Sequence, residues 1–538
     1  MPYIYKIHAM ADGSRSSSAP STAKGVTSAW LRWAMPSMAD LVFIAVFGVL
    51  VFTSLSVKLL NDAGIGWHIR TGQLIAATHS IPRVDPFSSQ IQKPWIAWEW
   101  MYDVLVGELE SSAGLNGVVW FSAVVIAGTF ALVFRLLLFR GADLFVALIL
   151  TLLAIAASMI HFLARPHVLS WLLAVVWFWI LDSTESAPHK RARQLWLLPL
   201  LMLIWVNVHG GFLLGFVLLA IYWMGVLCAW LRGKESRIEE SFEKIAAGKR
   251  VRLLTLIGLA SAIASLVNPY GWKLHAHIYC YLTNRFFMDH IDEFQSPNFH
   301  GIAQRCFLLI LLIAVAALAG CGRTLRLSQV LLMLFVIFGG LYASRNIPVS
   351  SVFLVLIVGP LLPRMERGGF SQRMSLLESN LRGHLWPILV TVACLVIALN
   401  GGRIGTGVLM DAHFDPQRMP VAAVNFIQGS GVRGPGFSPD NWGGYLIYRL
   451  YPHSRVVIDD RHDFYGESFL HQYLTTMRGE PGWLDFLKFR GCLVLPKKAT
   501  VTSLVSGNSN WKIVYSDDVA VVFVLSKVPE DSDRTMSQ

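Results

Sequence analysis

Apolar runs of about twenty residues recur along most of this chain, and they leave it few folds. A helix needs about 20 mostly apolar residues to cross a hydrocarbon core about 30 Å thick. About eleven runs qualify, at 39–60, 116–138, 143–163, 167–182, 195–208, 211–231, 253–268, 304–321, 328–343, 347–363 and 384–400. Several are short and abut Pro or Gly, as tilted or broken helices do when neighbours in a bundle re-satisfy their backbone. The pattern predicts an α-helical polytopic membrane protein. Of 538 residues, 54% are hydrophobic and only 15% are charged, against roughly a quarter charged in soluble domains.

The net charge of +11 does not point to nucleic acid, because the basic residues fall into short clusters between the apolar runs. That is the pattern of membrane orientation. With the N-terminus inside, the inside loops hold Arg135 and Arg140; Lys190, Arg191 and Arg193; Lys234, Arg237, Lys244, Lys249, Arg250 and Arg252; Arg323 and Arg326; and Arg364, Arg367, Arg373 and Arg382. The outside loops are poorer in Lys and Arg for their length. Fusing the fifth and sixth runs around His209-Gly210-Gly211 would destroy this bias. The expected topology is therefore N-in and C-out. Residues 1–36 read as a disordered cytoplasmic tail, 37–400 as the membrane domain and 401–538 as an extracytoplasmic domain. The first apolar run starts late and lacks a small-residue cleavage site, unlike a signal peptide. The six cysteines stand singly, with neither metal spacing nor a disulfide framework.

Three outside segments are long. Residues 61–115 contain an interfacial helix, with Ile65, Trp67, Ile69 and Leu74 apolar and His68 and Arg70 polar. A turn at Pro82 and a second amphipathic helix from Trp95 to about Leu109 follow. Residues 269–303 form the second segment. The third, 401–538, alternates as a small α/β domain. Helices are expected near 418–428, 467–476 and 482–489, and strands at Val456–Ile458, Cys492–Leu495 and twice between Trp511 and Leu525.

This topology puts the unusual polar residues on one side. Asp62, His68, Arg70, Asp85 and Glu99 lie in the first loop. Arg165 and His167 flank Pro166, Asn207 and His209 sit at the next outer turn, and Asn268 opens the second loop. Asp289, His290, Asp292 and Glu293 close that loop, and Arg345-Asn346 ends the ninth run. Each has a bland reading: a snorkelling cation, a capping histidine, a wet face for Glu99 and Asp103, a solvated stripe for Asp289, Asp292 and Glu293. Five turns converging give the functional reading its weight, since ionisable groups near hydrocarbon are costly. No H-E-x-x-H, G-x-S-x-G or P-loop motif occurs. Arg165 and Arg345 are placed to bind a lipid phosphate. Asp62 and Glu99 are placed to take a proton during attack on an acetal carbon.

The first loop, NDAGIGWHIRTGQLIAATHSIPRVDPFSSQIQKPWIAWEW, resembles that of the GT-C glycosyltransferases, which include oligosaccharyltransferases, protein mannosyltransferases and lipid A aminoarabinose transferases. Asp62 matches the acidic position after the first span, and Asp85-Pro86-Phe87 the turn after the interfacial helix. The acidic pair of the family is here Asn61-Asp62. The stretch PDNWGGYLIYRLYPHSRVVIDDRHDFYG resembles the W-W-D-Y-G region only at Trp442, Gly443 and Tyr445, so sequon recognition is not carried over. The resemblance implies a bacterial inner-membrane enzyme that moves a sugar from a polyprenyl-phosphate-type donor to a lipid, glycan or protein acceptor. It implies Asp62 as base or as ligand of a divalent ion, with Glu99 the next catalytic carboxylate. His68, Arg70, Arg165, His167, His209 and Arg345 would bind substrate at the loop, and Trp442 and Tyr445 would give contact surface for an acceptor. The competing readings are an O-antigen polymerase or ligase, whose usual form lacks a sizeable outer domain, and a non-catalytic transporter or scaffold. A transporter needs polar inner halves of the spans, which are sparse here.

Overall fold

The computed structural model describes residues 29–526, apart from 90–92, 188–190, 233–237, 321–324, 364–372, 376, 379–380, 382–383, 433–435 and 488–489. Most of the expected tail, and Lys190, Lys234, Arg237, Arg323, Arg364, Arg367 and Arg382 of the inside loops, lie outside the described residues.

The apolar runs become a helical bundle. Among the described residues, seven helices are long and apolar enough to cross a membrane: Arg32–Phe52, Trp100–Phe139, Leu144–His161, His167–Ser186, Gly210–Arg232, Ile302–Gly320 and Ser344–Leu361. The runs at 195–208, 328–343 and 384–400 form the shorter apolar helices Ala192–Val208, Leu327–Tyr342 and Leu385–Leu399. A 16-residue helix is about 24 Å long, shorter than a hydrocarbon core about 30 Å thick. The run at 253–268 is the second half of Ile238–Ser265, whose first half is charged. Local signals set the helix ends. Ser37 and Asp40 form a reciprocal capping box at Met38–Phe52, and Asp143 caps Leu144–Ser158. His209-Gly210-Gly211 makes the turn between two separate helices rather than fusing them.

The expected interfacial helix is present as Ile65–Thr78, but it is not half-wet: Ile65, Trp67, His68, Ile69 and Thr71 are all buried. Two glycine crossings explain this. Gly72 meets the backbone of Asp103, and Gly107 meets that of Gly72 and Gln73; a Cβ at either place would collide. On its other flank, Gly66 meets Gly444 and Gly444 meets Ala63. The helix is thus clamped between the bundle and the C-terminal domain. The second amphipathic helix starts at Trp100 instead of Trp95. It runs on to Phe139 across a kink at Gly114, where φ is 61°, a conformation glycine adopts without steric cost.

Beyond the last helix the chain forms the expected α/β domain. A three-stranded antiparallel sheet has Ala520–Leu525 between Cys492–Pro496 and Trp511–Ser516, with Cys492 opposite Val524 and Trp511 opposite Leu525. Helices Val421–Ser430 and Glu467–Arg478 form as expected. Three details differ. Val456–Ile458 is not a ladder strand; Val456 makes a single bridge to Ser88 of the first loop. The described part of 482–489 is a series of turns. The segment around Trp442 is a helix, Asp440–Leu450, which carries the glycines that meet the loop helix. Its Gly443-Gly444 pair lowers helix propensity but permits that close approach.

Candidate active site

Asp62 follows the first membrane helix, and its carboxylate caps the turn into the loop helix by accepting from the Gly64 N–H at 2.9 Å. Its other oxygen lies 3.3 Å from Nε of Arg165. Arg165 comes from the turn before His167–Ser186, and its Nη2 forms an ion pair with Asp460 of the C-terminal domain, 2.9 Å from Oδ2. Asp460 in turn accepts from the indole N–H of Trp67 at 2.9 Å. Three segments distant in sequence therefore meet in one chain, Asp62–Arg165–Asp460–Trp67. Gly64 makes room for it, since a Cβ there would strike both Arg165 and Asp460. Nη1 of Arg165 and Oδ1 of Asn61 are buried and lack a hydrogen-bond partner among the described residues.

Beneath this chain lies a more deeply buried set. Glu99, 8% exposed, sits with one oxygen 3.8 Å from Nε2 of His68 and the other 3.7 Å from Nε2 of His209. His68 is fully buried, and its Nδ1 lies 2.5 Å from Asp103. Nδ1 of His209 lies 2.8 Å from the Ser170 hydroxyl, which also accepts from the Trp205 indole. Burial pushes Glu99 from its ordinary 4.5 up to about 8, against the pull of Arg165. Burial holds His68 well below its ordinary value, with Arg165 adding to the effect. Both shifts favour the uncharged form. Glu99 and Asp103, read from the sequence as a wet face, are interior groups.

A second ion pair anchors the C-terminal domain. Arg461 forks onto Asp459 at 2.8 and 2.6 Å and reaches Asp85 of the first loop at 2.7 Å. Its guanidinium lies over the rings of Trp95, Phe87, Trp67 and Phe464. Asp85 also accepts from the Ser88 N–H at 2.8 Å, shaping the Asp85-Pro86-Phe87 turn. Burial pushes Asp85 up, but the Arg461 charge together with the hydrogen bonds from Ser88 and Arg461 holds it below its ordinary range.

Not every expected site residue joins this cluster. Asp62, Glu99, His68, Arg165 and His209 come together, and the fields of both Arg165 and Arg345 reach Glu99. Arg345 pairs with Glu293 at 3.1 Å and stacks on Phe294. His167 packs beside His161 and lies 2.9 Å from its carbonyl. Arg70 points elsewhere: its Nε donates to the Tyr448 carbonyl at 2.9 Å, tying the loop helix to Asp440–Leu450. Trp442 and Tyr445, 5% and 1% exposed, are core residues of the domain. The Trp442 indole donates to the Arg418 carbonyl, and Tyr445 packs on Phe414. Neither offers a contact surface, because a helix at this position turns both inward. Asp460, Arg461 and Asp459 were not singled out from the sequence. The signal for them was four charges within Asp459–Asp463, directly after the apolar Val456–Ile458.

No group of three or more His, Cys, Asp or Glu side chains is arranged to hold a metal ion among the described residues. The donors at Asp62 do not fit a dication either: the Arg165 guanidinium stands between Asp62 and Asp460, the two carboxylates that would supply oxygen ligands.

No family model and no curated protein sequence matches the chain. Solved structures do. The oligosaccharyltransferase of Archaeoglobus fulgidus, tethered to an acceptor peptide, is similar with a TM-score of 0.50 at 11% identity, over 92% of this chain and 74% of that one. The chain has a GT-C fold. ArnT from Cupriavidus metallidurans, solved with undecaprenyl phosphate, matches with a TM-score of 0.45 at 13% identity, over 90% of this chain and 97% of that one. In this fold the ion chain built on Asp62 lies where the first loop, the bundle and the C-terminal domain meet.

Proposed function

We propose that this protein is a membrane glycosyltransferase that moves a sugar from a polyprenyl-phosphate-type donor to a lipid, glycan or protein acceptor. The charge bias of its loops favours the extracytoplasmic face of a plasma membrane as the site of reaction. The observation that carries the reading is the Asp62–Arg165–Asp460 chain at the loop end of a GT-C bundle. Asp62 is part-exposed and lies beside the Arg165 guanidinium. In the proposed step the acceptor hydroxyl oxygen bonds to the anomeric carbon while the bond from that carbon to the phosphate oxygen breaks. The phosphate leaves with the electron pair, and the acceptor proton passes to Asp62. The Arg165 guanidinium, beside Asp62, stabilises the leaving phosphate, with Arg345 as the second cation. Glu99 keeps its proton at neutral pH and serves as a hydrogen-bond donor rather than the base. The GT-C fold favours this reading over a polymerase, transporter or scaffold.

The test is made in the native host. Membranes lacking the protein should accumulate a polyprenyl-linked sugar, read by lipid mass spectrometry; no accumulation sinks the enzyme reading. Asp62→Asn keeps shape and removes the base, so transfer should fall roughly 10² to 10⁴-fold at unchanged membrane abundance. Unmutated turnover in that variant moves the base elsewhere.

A further inference from the structure

A cavity of about 630 Å³ lies at the other end of the bundle, lined among others by Thr184, Glu185, Val226, Arg250, Leu253 and Arg326. Thr184 is seventeen residues along the helix that begins at His167 beside the candidate active site, so about 25 Å separates the two. The volume falls in the range of small-molecule sites, about 300–1,000 Å³. Four cations line it (Arg232, Lys249, Arg250 and Arg326) against two carboxylates, Glu185 and Glu243.

Positive charge at helix ends is ordinary, and a snorkelling side chain explains Arg232 and Lys249, which are exposed. It does not explain Arg250. One of its nitrogens, Nη1, donates to the Thr184 carbonyl at 2.8 Å. Nε and Nη2 are buried and have no hydrogen-bond partner among the described residues. The nearby carboxylate does not serve them: Glu185 is taken by Arg326 at 3.0 Å and by the Ser328 hydroxyl at 2.9 Å. A guanidinium with two buried, unanswered donors is costly unless an anion answers them, and phosphate oxygens match its fork. The rest of the wall is largely aliphatic, through Leu195, Val226, Ala247 and Leu253. A free, fully hydrated anion gains nothing from such a wall, whereas a lipid fills it with chain and backbone carbons. Basic pockets between membrane helices accept anionic headgroups for this reason.

We propose that this cavity binds the phosphate headgroup of an anionic membrane lipid, held by Arg250 and Arg326, at a site separate from the candidate active site. It does not depend on the activity proposed above.

The test uses purified, delipidated full-length protein and native mass spectrometry with phosphatidylglycerol, phosphatidylcholine and inorganic phosphate. Phosphatidylglycerol should be retained, phosphatidylcholine should not, and millimolar inorganic phosphate should not displace the lipid. Arg250→Ala should weaken retention about ten- to a hundredfold, the worth of charge-assisted hydrogen bonds. Ala229→Trp, at the cavity wall, fills the volume without touching charge. It should weaken retention as well, and it decides the matter if Arg250→Ala does not fold. Equal retention of the two lipids by the unmutated protein, or undiminished retention in the folded variants, overturns the site. Displacement by inorganic phosphate overturns the lipid assignment.

Discussion

Arg165 and Arg461 each hold carboxylates from distant parts of the chain, yet they do different things. Arg461 is 4% exposed, its two carboxylates are fully buried, and aromatic rings surround it. That arrangement fixes the C-terminal domain on the first loop. Arg165 sits in a wetter place, and its Nη1 is buried against Gly64 without a hydrogen-bond partner among the described residues. Glu99 shows the same logic with the opposite sign. An unfolded glutamate releases its proton near 4.5, whereas buried Glu99 retains it to about 8. The folded state therefore binds the extra proton across that window, and its stability falls as pH rises through it. Glu99→Gln removes the titration. Relative to the unmutated protein, its thermal midpoint should rise from about pH 5 to about pH 8, at a limiting slope of about 1.4 kcal/mol per pH unit. A difference that does not change with pH would show Glu99 ionised like any surface carboxylate.

At the scale of elements, the loop helix Ile65–Thr78 is the part on which the candidate site depends. It touches the bundle through Gly72 and Gly107 and the outer domain through Gly66 and Gly444. Its buried face carries His68, and Trp67 reaches Asp460. Backbone meets backbone at these crossings, so a larger residue has no flexible side chain to displace. Gly444→Val should cost roughly 1–3 kcal/mol or more and loosen the domain, exposing 401–526 to limited proteolysis. Gly429→Ala, whose Cβ meets open space within a helix, should leave the cleavage pattern unchanged and stability equal or slightly higher. Equal protease sensitivity of the two variants would show that the glycine crossing does not hold the domain in place.

Across the whole molecule, the charged features sort to the two ends of the bundle. The first loop, Arg165, Arg345 and the C-terminal domain gather at one end; Arg250, Arg326 and the anion-accepting cavity gather at the other. This agrees with the basic clusters read from the sequence. A reporter fused after residue 405 should be extracytoplasmic and one placed in 234–250 cytoplasmic, each read by its activity in intact cells. Both on one side would break the assignment of the site to the outer face.

Much of this organisation was legible in the sequence because it rests on local rules. Apolar length made the membrane helices, and loop charge gave the orientation expected of them. Strand patterning gave the segments that form the sheet, and Asp62 could be singled out because it directly follows the first span. The contacts that build the site were not legible. Asp460 lies nearly four hundred residues from Asp62, and no local propensity records that Arg165 joins them. Trp442 and Tyr445 looked like contact surface because their stretch resembles the W-W-D-Y-G region. In the folded chain the glycines make a helix crossing, and both aromatics turn into the core. His68 and Glu99 looked polar and wet; only packing on three sides made them neutral interior groups. The sequence alone determined which segments are apolar and which end carries the charge, since these are properties of neighbouring residues. The tertiary structure decided which charges meet and which are left unanswered, since burial and ion pairing depend on groups that approach only after the chain has folded.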